Sequence, residues 1–185
     1  VRKHMKNFHW DTSIYEQKGM FKFVDCYSSI AGVAGREKHH AKQPFALLDL
    51  GVAMAAATDE LKQKSPTVIL DSTAPLFTRL NPAEVTKFLQ DRSARIKGDN
   101  GTFFFIVGKG TVPPDLMHKL GEIVDCIIEL YVHRAKKETL RRLRIIQLRG
   151  RRFSDEWIPL KIDSKRGITF LAPKGWSKKG VKTKG

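Results

Sequence analysis

The sequence has few cysteines and no long apolar run. Cys26 and Cys126 are the only cysteines among its 185 residues, and their spacing matches no zinc site. Each ends an apolar, strand-like run, so we expect two buried, reduced thiols rather than a disulfide. No stretch approaches the roughly 20 apolar residues of a membrane span, and the start shows no signal-peptide pattern. These absences predict a soluble, cytoplasmic protein that has no membrane partner.

Acidic residues are also scarce, because 19 Asp and Glu stand against 34 Lys and Arg, a formal charge of +15. The excess lies at one end of the chain. Residues 1–133 hold 17 basic and 15 acidic side chains, whereas residues 134–185 hold 17 basic and 4 acidic ones. The 41% of apolar residues suffices for a core and excludes a disordered polar chain. The concentrated positive charge indicates a polyanionic partner.

Helix and strand patterns alternate over most of the chain, with a long polar loop predicted at 28–44. Apolar runs predict buried strands at 20–26, 67–72, 102–107 and 122–132. Helices are predicted at 2–8, 45–62, 81–97 and 113–120. Three further strand patterns follow without helices, at 141–148, 157–162 and 168–171. We predict an α/β fold with a mainly parallel sheet and an antiparallel C-terminal hairpin extension, one domain over 1–173 and a flexible basic tail over 174–185.

Asp71 is the first position that suggests chemistry, because a buried strand ends there in Asp-Ser. Open α/β sheets bind ligands at the carboxyl edge of their strands, and a carboxylate at that edge can hold Mg²⁺ through water. Aspartate at a strand end is also a common helix cap. Both interpretations stay open on this motif alone.

Five segments, in their order and spacing, resemble the KaiC-like branch of the RecA-type P-loop ATPases, a family common in archaea. They are Phe23-Val24-Asp25, Val68-Ile69-Leu70-Asp71-Ser72, Phe103 to Val107, Glu122 to Leu130, and Leu143 to Gly150 together with Gly167-Ile168-Thr169. The resemblance covers nearly the whole chain and implies a RecA-like three-layer sandwich. It also implies ATP and Mg²⁺ as cofactors, with Asp71 and Ser72 in the Walker B strand beside the nucleotide and Asp71 holding Mg²⁺ through water.

The first departure of the sequence from this family is its lack of a G-x-x-x-x-G-K-[ST] phosphate-binding loop. Gly108-Lys109-Gly110-Thr111 offers similar residue types, but it follows a different strand and lacks the first glycine. By the resemblance, the first β-α-β unit, with this loop and the catalytic glutamate, is missing from this chain and would lie upstream of Val1. We expect ATP hydrolysis to be impaired or absent in this chain. A complete KaiC-like ATPase whose loop lies upstream is the alternative, so the sequence leaves open whether the chain is an enzyme.

The resemblance also implies a homo-oligomer. The strand before the phosphate loop is central in this fold, and without it backbone groups and apolar faces stay uncovered unless a neighbour fills the gap. The family's K-x-R-G motif reads Gln147-Leu148-Arg149-Gly150 here. Arg149 can therefore act in the neighbouring subunit like an arginine finger, while Gln147 lacks the charge. A solvated residue on a basic edge strand is the other interpretation of Arg149.

Nine basic residues lie within residues 134–152, where Glu138 is the only acid. Strand alternation places Arg142 and Arg144 on one face and Arg141 and Gln147 on the other. We predict binding of DNA, single-stranded or non-specific, by Arg141, Arg142, Arg144, Arg151, Arg152, Lys178 and Lys179. The first hypothesis is therefore a DNA-associated accessory in recombination, repair or regulation. A non-enzymatic protein-interaction module with a basic surface is the alternative.

Overall fold

The computed structural model describes residues 1–62, 64–134, 139–163 and 165–171. The elements, in chain order, are α1 (Arg2–Asn7), α2 (Ser13–Gln17), β1 (Val24–Asp25), β2 (His39–His40), α3 (Leu47–Asp59), β3 (Thr67–Leu70), α4 (Ala74–Arg79), α5 (Pro82–Gly98), β4 (Thr102–Phe105), α6 (Pro114–Glu122), β5 (Cys126–Arg134), β6 (Thr139–Leu148), β7 (Ile158–Asp163) and β8 (Gly167–Phe170). Nowhere in the described ranges is a helix both long enough and apolar enough to cross a membrane. The predicted tail at 174–185 lies outside the described residues.

The chain forms two compact units. Residues 12–123 make up the first, which contains the elements α2 to α6 and is called the helical unit below. Residues 1–11 and the described residues between 124 and 171 make up the second, the sheet unit, which contains α1 and β5 to β8.

Two parallel strand pairs belong to the helical unit. Strand β1 pairs with β2, and β3 pairs with β4 in the register Thr67 opposite Thr102 through Leu70 opposite Phe105. Strands β3 and β4 are connected through α4 and α5, which is the parallel arrangement that the sequence predicts. The pair β3–β4 places the ends of two strands, at Leu70 and Phe105, side by side.

The core of the helical unit lies on one face of the β3–β4 pair. It is built from α3, α4, α5 and α6, with Leu50, Met54, Leu76, Val85, Leu89, Leu116 and Leu120 fully or nearly buried. Val68 and Phe103 pack against this core, whereas Ile69 is 64% exposed and Phe104 46% exposed. The prediction of buried strands at 67–72 and 102–107 therefore holds for one face of this pair only. Their apolar runs are buried on one side only.

Helix α5 begins where its sequence predicts. The Asn81 side-chain oxygen accepts a hydrogen bond from the Ala83 N–H at 2.9 Å, Pro82 occupies the first turn, and Glu84 follows it. Each of these residues favours a helix start. Helix α4 was not predicted, because six residues are too few to show a helical period.

The first predicted strand is shorter than its apolar run. Only Val24 and Asp25 form β1, while Phe21 and Phe23 are half-buried outside it with their rings 4.9 Å apart. Strand β2 lies within the predicted loop at 28–44, and its His39 pairs with Val24 and is only 8% exposed. A polar two-residue strand carries no hydrophobic alternation, so the sequence does not reveal it.

The sheet unit holds four antiparallel strands in the order β5-β6-β7-β8. This confirms the predicted antiparallel end of the chain, and β5 joins it as a fourth strand. A bulge shifts the register between Ile127, opposite Gln147, and Ile128, opposite Ile145. Gln147 and Ile145 therefore point to opposite faces, which corrects the uniform alternation predicted for β6. The Gln147 amide donates to the Val124 carbonyl at 2.9 Å.

Both cysteines are free thiols, but only one is sheltered. Burial raises the pKa of Cys26, and the charge of Asp25 raises it further. Cys126 is exposed at the first position of β5. The prediction of two buried thiols is thus wrong for Cys126, because a strand-like run ending in cysteine does not fix which face of the sheet that cysteine occupies.

Candidate functional site

Asp71 directly follows β3, and its loop is held against the loop after β4. The Ile106 carbonyl accepts hydrogen bonds from both the N–H and the hydroxyl of Thr73, each at 3.0 Å. The Ile106 N–H donates to the Leu70 carbonyl at 3.1 Å, and Thr73 is fully buried. The Asp71-Ser72 peptide bond is cis. Asp71 is therefore an exposed carboxylate on an anchored loop at the carboxyl ends of two parallel strands.

Asp25 ends β1 and organises its own loop. Its carboxylate accepts the N–H groups of Tyr27 at 2.8 Å and Ser28 at 3.0 Å, and also the Ser28 hydroxyl at 2.5 Å. Burial alone would raise the pKa of Asp25, but the hydrogen bonds from Ser28 and Tyr27 and the charge of His40 outweigh it and lower the pKa. Because its oxygens are already bonded, Asp25 acts as a loop cap.

The loop at 108–111 is closed on itself. The Gly108 carbonyl accepts the Thr111 N–H at 3.0 Å and the Thr111 hydroxyl at 2.6 Å, and Gly110 has φ +80°. A phosphate-binding loop instead leaves such N–H and hydroxyl groups free for the phosphate. In this loop the Thr111 N–H and hydroxyl are both bonded to Gly108.

The family resemblance implies a nucleotide beside the end of β3. Asp71 and Ser72 supply one carboxylate and one hydroxyl, and the sequence holds no phosphate loop. In the described ranges no three His, Cys, Asp or Glu side chains lie together as metal ligands. Mg²⁺ in nucleotide sites is held by one or two carboxylates together with the phosphates, which a loop must cradle. The described residues therefore do not form a Mg²⁺-ATP site by themselves.

The predicted nucleic-acid residues divide between the two faces of the antiparallel sheet. Tyr131 lies opposite Arg142, and Arg142 lies opposite Pro159, so all three share one face. Lys161, two residues beyond Pro159, lies on this face as well. We call it the basic face, formed by Glu129, Tyr131, Arg142, Arg144, Pro159 and Lys161. Tyr131 is 40% exposed, and Arg142 and Lys161 are exposed.

Arg144 is the most constrained cation of the basic face. Its Nε and Nη2 both lie 2.7 Å from Glu129 Oε2, and its Cζ lies 4.5 Å from the centre of the Trp157 ring. The Trp157 ring in turn lies 5.8 Å from the Tyr131 ring. Since Glu129 balances its charge, Arg144 holds the aromatic pair in place more than it adds positive potential.

The other predicted residues lie elsewhere. Arg141 is opposite Val132 and the buried Leu160, on the apolar face of the same sheet. Arg149 is exposed just after β6, and its N–H donates to the Asp125 carbonyl at 2.8 Å. Arg151 and Arg152 are exposed in the following loop. Lys178 and Lys179 lie outside the described residues.

Among the members of the basic face, Tyr131 and Lys161 are the two proposed contacts that sequence reasoning missed. Both lie outside the basic cluster at 134–152, and the strand register places them on the face of Arg142. The signal in the sequence that could have found them is the alternation along β5 and β7, in which every second residue lies on the same face.

A family model described as the ATPase KaiC matches residues 1–175 of this chain. This chain belongs to the KaiC-like ATPase family. The match covers both units, and it agrees with the parallel pairs and the antiparallel end of the chain.

Curated relatives extend over most of this KaiC-like chain. A UPF0273 protein of Pyrococcus horikoshii is 27% identical over 176 residues, covering 92% of this chain and 68% of that protein. A UPF0273 protein of Thermotoga maritima is 26% identical over 181 residues, covering 95% and 72%. One source is archaeal and the other bacterial, so these matches do not assign the chain to archaea.

A solved structure supports the fold. The crystal structure of a KaiC-like protein from Pyrococcus horikoshii superposes with a TM-score of 0.68 at 20% identity, covering 92% of this chain and 70% of that one. The fold is thus the KaiC-like, RecA-type α/β fold, as the sequence predicts.

Proposed function

We propose that this KaiC-family chain associates with nucleic acid through its basic face and does not hydrolyse ATP on its own. The observation that carries the proposal is the row Tyr131–Arg142–Pro159 across three strands, with Lys161 on the same face. Cations spaced along a groove or sheet contact phosphates, and an adjacent aromatic ring stacks on a base. This combination favours single-stranded nucleic acid without sequence preference.

The residues of this face have different roles in the proposal. Arg142 and Lys161, with Arg151 and Arg152 in the neighbouring loop, supply the phosphate contacts. Arg144 supplies few, because Glu129 holds its guanidinium through two nitrogens. Tyr131 offers its exposed ring for stacking.

The test is the anisotropy of fluorescein-labelled oligothymidine titrated with the protein at rising salt. We expect binding whose logarithm falls linearly with the logarithm of the salt concentration, because phosphate contacts release counterions. Arg142→Gln combined with Lys161→Gln should weaken binding and flatten this slope by about 2. The matched control, Lys18→Gln with Lys64→Gln, removes the same charge from the helical unit and should leave both nearly unchanged.

Stacking is tested separately on Tyr131. Tyr131→Ala should weaken binding by about 1–3 kcal/mol without changing the salt slope, whereas Tyr131→Phe should keep the affinity. No binding at low salt, or binding that does not decline as salt rises, contradicts the nucleic-acid proposal. That result would favour a protein-interaction module with a basic surface.

ATP hydrolysis is the second candidate function, because the chain belongs to a family of ATPases. The absence of a phosphate loop from the sequence and the self-closed loop at 108–111 favour no hydrolysis. We expect phosphate release from ATP and Mg²⁺ at the background rate. Release above background that Asp71→Asn abolishes, and that the control Asp99→Asn does not, would replace this part of the proposal with an active enzyme. Mg²⁺ held by Asp71 and the action of Arg149 in a neighbouring subunit stay predictions.

A further inference from the structure

A groove of about 450 Å³ runs between α3 and α5 of the helical unit. Leu48, Val52 and Ala55 line its α3 side. Phe88 and Arg92 line its α5 side, together with the charged residues Glu84, Lys87, Asp91 and Arg95. The groove thus has one apolar wall and one charged wall.

The α3 wall is unusually apolar for an exposed helix surface. Leu48 is 82% exposed and Val52 is 57% exposed, on the side of α3 away from the core residues Leu50 and Met54. From Leu47 to Ala57 the helix carries one charged side chain, Asp49. A helix that is apolar on all sides normally has both sides covered, so this wall is suited to a second contact.

Arg92 provides a specific point of attachment. Lys87 has a carboxylate partner in Asp91 at 3.7 Å, and Arg95 has one in Asp59 at 3.8 Å. In the part of the chain that the structure describes, Arg92 has no carboxylate within 4 Å. Its Nη1 lies 3.5 Å from the Gly51 carbonyl, and its Nε is buried without a hydrogen-bond partner there. With one long hydrogen bond and no carboxylate partner among the described residues, the guanidinium that lines the groove is short of acceptors.

We infer that the α3–α5 groove binds an amphipathic helix of a partner protein, with apolar side chains on Leu48 and Val52 and a carboxylate bound to Arg92. Charge complementarity selects this occupant, since a guanidinium short of acceptors requires an acid and the α3 wall requires apolar side chains. A nucleic acid is disfavoured, because the α3 wall offers its phosphates no polar contact and two of the three cations on the α5 side, Lys87 and Arg95, already have carboxylate partners.

The probes are fluorescein-labelled helical peptides with leucines at i, i+3, i+4 and i+7 and one Glu moved through the remaining positions. We expect saturable binding to the full chain, measured by anisotropy, only for the registers that bring the Glu to Arg92. Leu48→Ser with Val52→Ser should weaken it about tenfold or more, as for the central residues of an interface. Both positions are exposed, so the fold is preserved, and Val33→Ser at another exposed position is the matched control.

A double-mutant cycle tests the ion pair itself. Replacing the peptide Glu with Gln should weaken binding to the natural chain but cause no further loss in Arg92→Gln. Absence of saturable binding in every register, or equal binding to the Leu48→Ser, Val52→Ser variant, would overturn the inference. So would a natural chain whose self-association is lost in that variant, because the occupant would then be a second copy. These outcomes are independent of the basic face, which lies in the other unit.

Discussion

At the scale of single residues, Glu60 joins three segments of the helical unit. Its carboxylate lies 2.7 Å from the Lys38 Nζ, 3.4 Å from the Lys22 Nζ and 3.2 Å from the His39 Nε2. Together these neighbours lower the pKa of Glu60 from 4.5 to about 2, with the hydrogen bond from Lys38 contributing most and Lys22 and His39 contributing less. One side chain at the end of α3 thereby fixes both β2 and the segment before β1.

This pKa predicts part of the acid sensitivity of the protein. Because the folded pKa is lowered, the contribution of Glu60 is fully present above pH 4.5 and is lost as the pH falls toward 2. We expect Glu60→Gln to lower the free energy of unfolding at pH 6 and to reduce its loss between pH 6 and pH 3, both measured by urea unfolding. Glu156→Gln, which removes a carboxylate from an exposed loop, is the control. An unchanged loss on acidification in Glu60→Gln would show that the lysines do not act through this carboxylate.

At the scale of secondary structure, local signals decided which elements could be predicted. Helix α5 was predicted because Asn81, Pro82 and Glu84 act within one turn, and the antiparallel end was predicted from three apolar runs without helices between them. The register of β6 could not be predicted, because the bulge at the step from Ile127 to Ile128 arises from pairing between strands. Asp71 was identified from its strand alone, whereas Tyr131 and Lys161 depend on neighbours distant in sequence.

In the turn between β7 and β8, the need for glycine at position 167 depends partly on Trp10, which is distant in sequence. Gly167 has φ +72°, and a Cβ there would lie 2.3 Å from Cζ2 of Trp10. The Asp163 carboxylate accepts the N–H groups of Lys165 and Arg166 in the same turn, and these bonds lower its pKa. The turn therefore requires glycine both for its backbone conformation and for its contact with Trp10.

A comparison of Gly150 with Gly167 separates the cost of the backbone conformation from the cost of the contact with Trp10. Gly150 also has φ +72°, but no atom lies within 4 Å of a Cβ built there. We expect Gly150→Ala to cost about 1–2 kcal/mol for the left-handed conformation alone, and Gly167→Ala to cost more because Trp10 must move. Urea unfolding measures both, and Trp10→Ala should remove the excess cost in the double variant. Equal costs for the two glycine variants would show that Trp10 does not pack on this turn in solution.

At the scale of the whole molecule, each unit exposes an apolar face of its sheet. Ile69, Phe104 and Ile106 are between 46% and 64% exposed in the helical unit, and Ile168 and Phe170 are each 56% exposed in the sheet unit. Soluble monomers rarely expose contiguous apolar surface of this kind, and a further protein layer normally covers it. The exposed side chains are the physical argument for the homo-oligomer that the sequence predicts.

Self-association is therefore expected to depend on the β3–β4 face. Sedimentation velocity at rising concentration should show the natural chain associating, driven by burial of Ile69 and Phe104, at about 25 cal/mol per Å² of apolar area. Ile69→Thr with Phe104→Thr keeps residues that favour strands but removes apolar surface, and should shift the protein toward monomer. Leu48→Ser, on the helix side of the same unit, removes a side chain that is even more exposed and should leave the association unchanged. A natural chain that is monomeric at every concentration would show that these faces stay open to water, and an associating Thr variant would place the contact elsewhere.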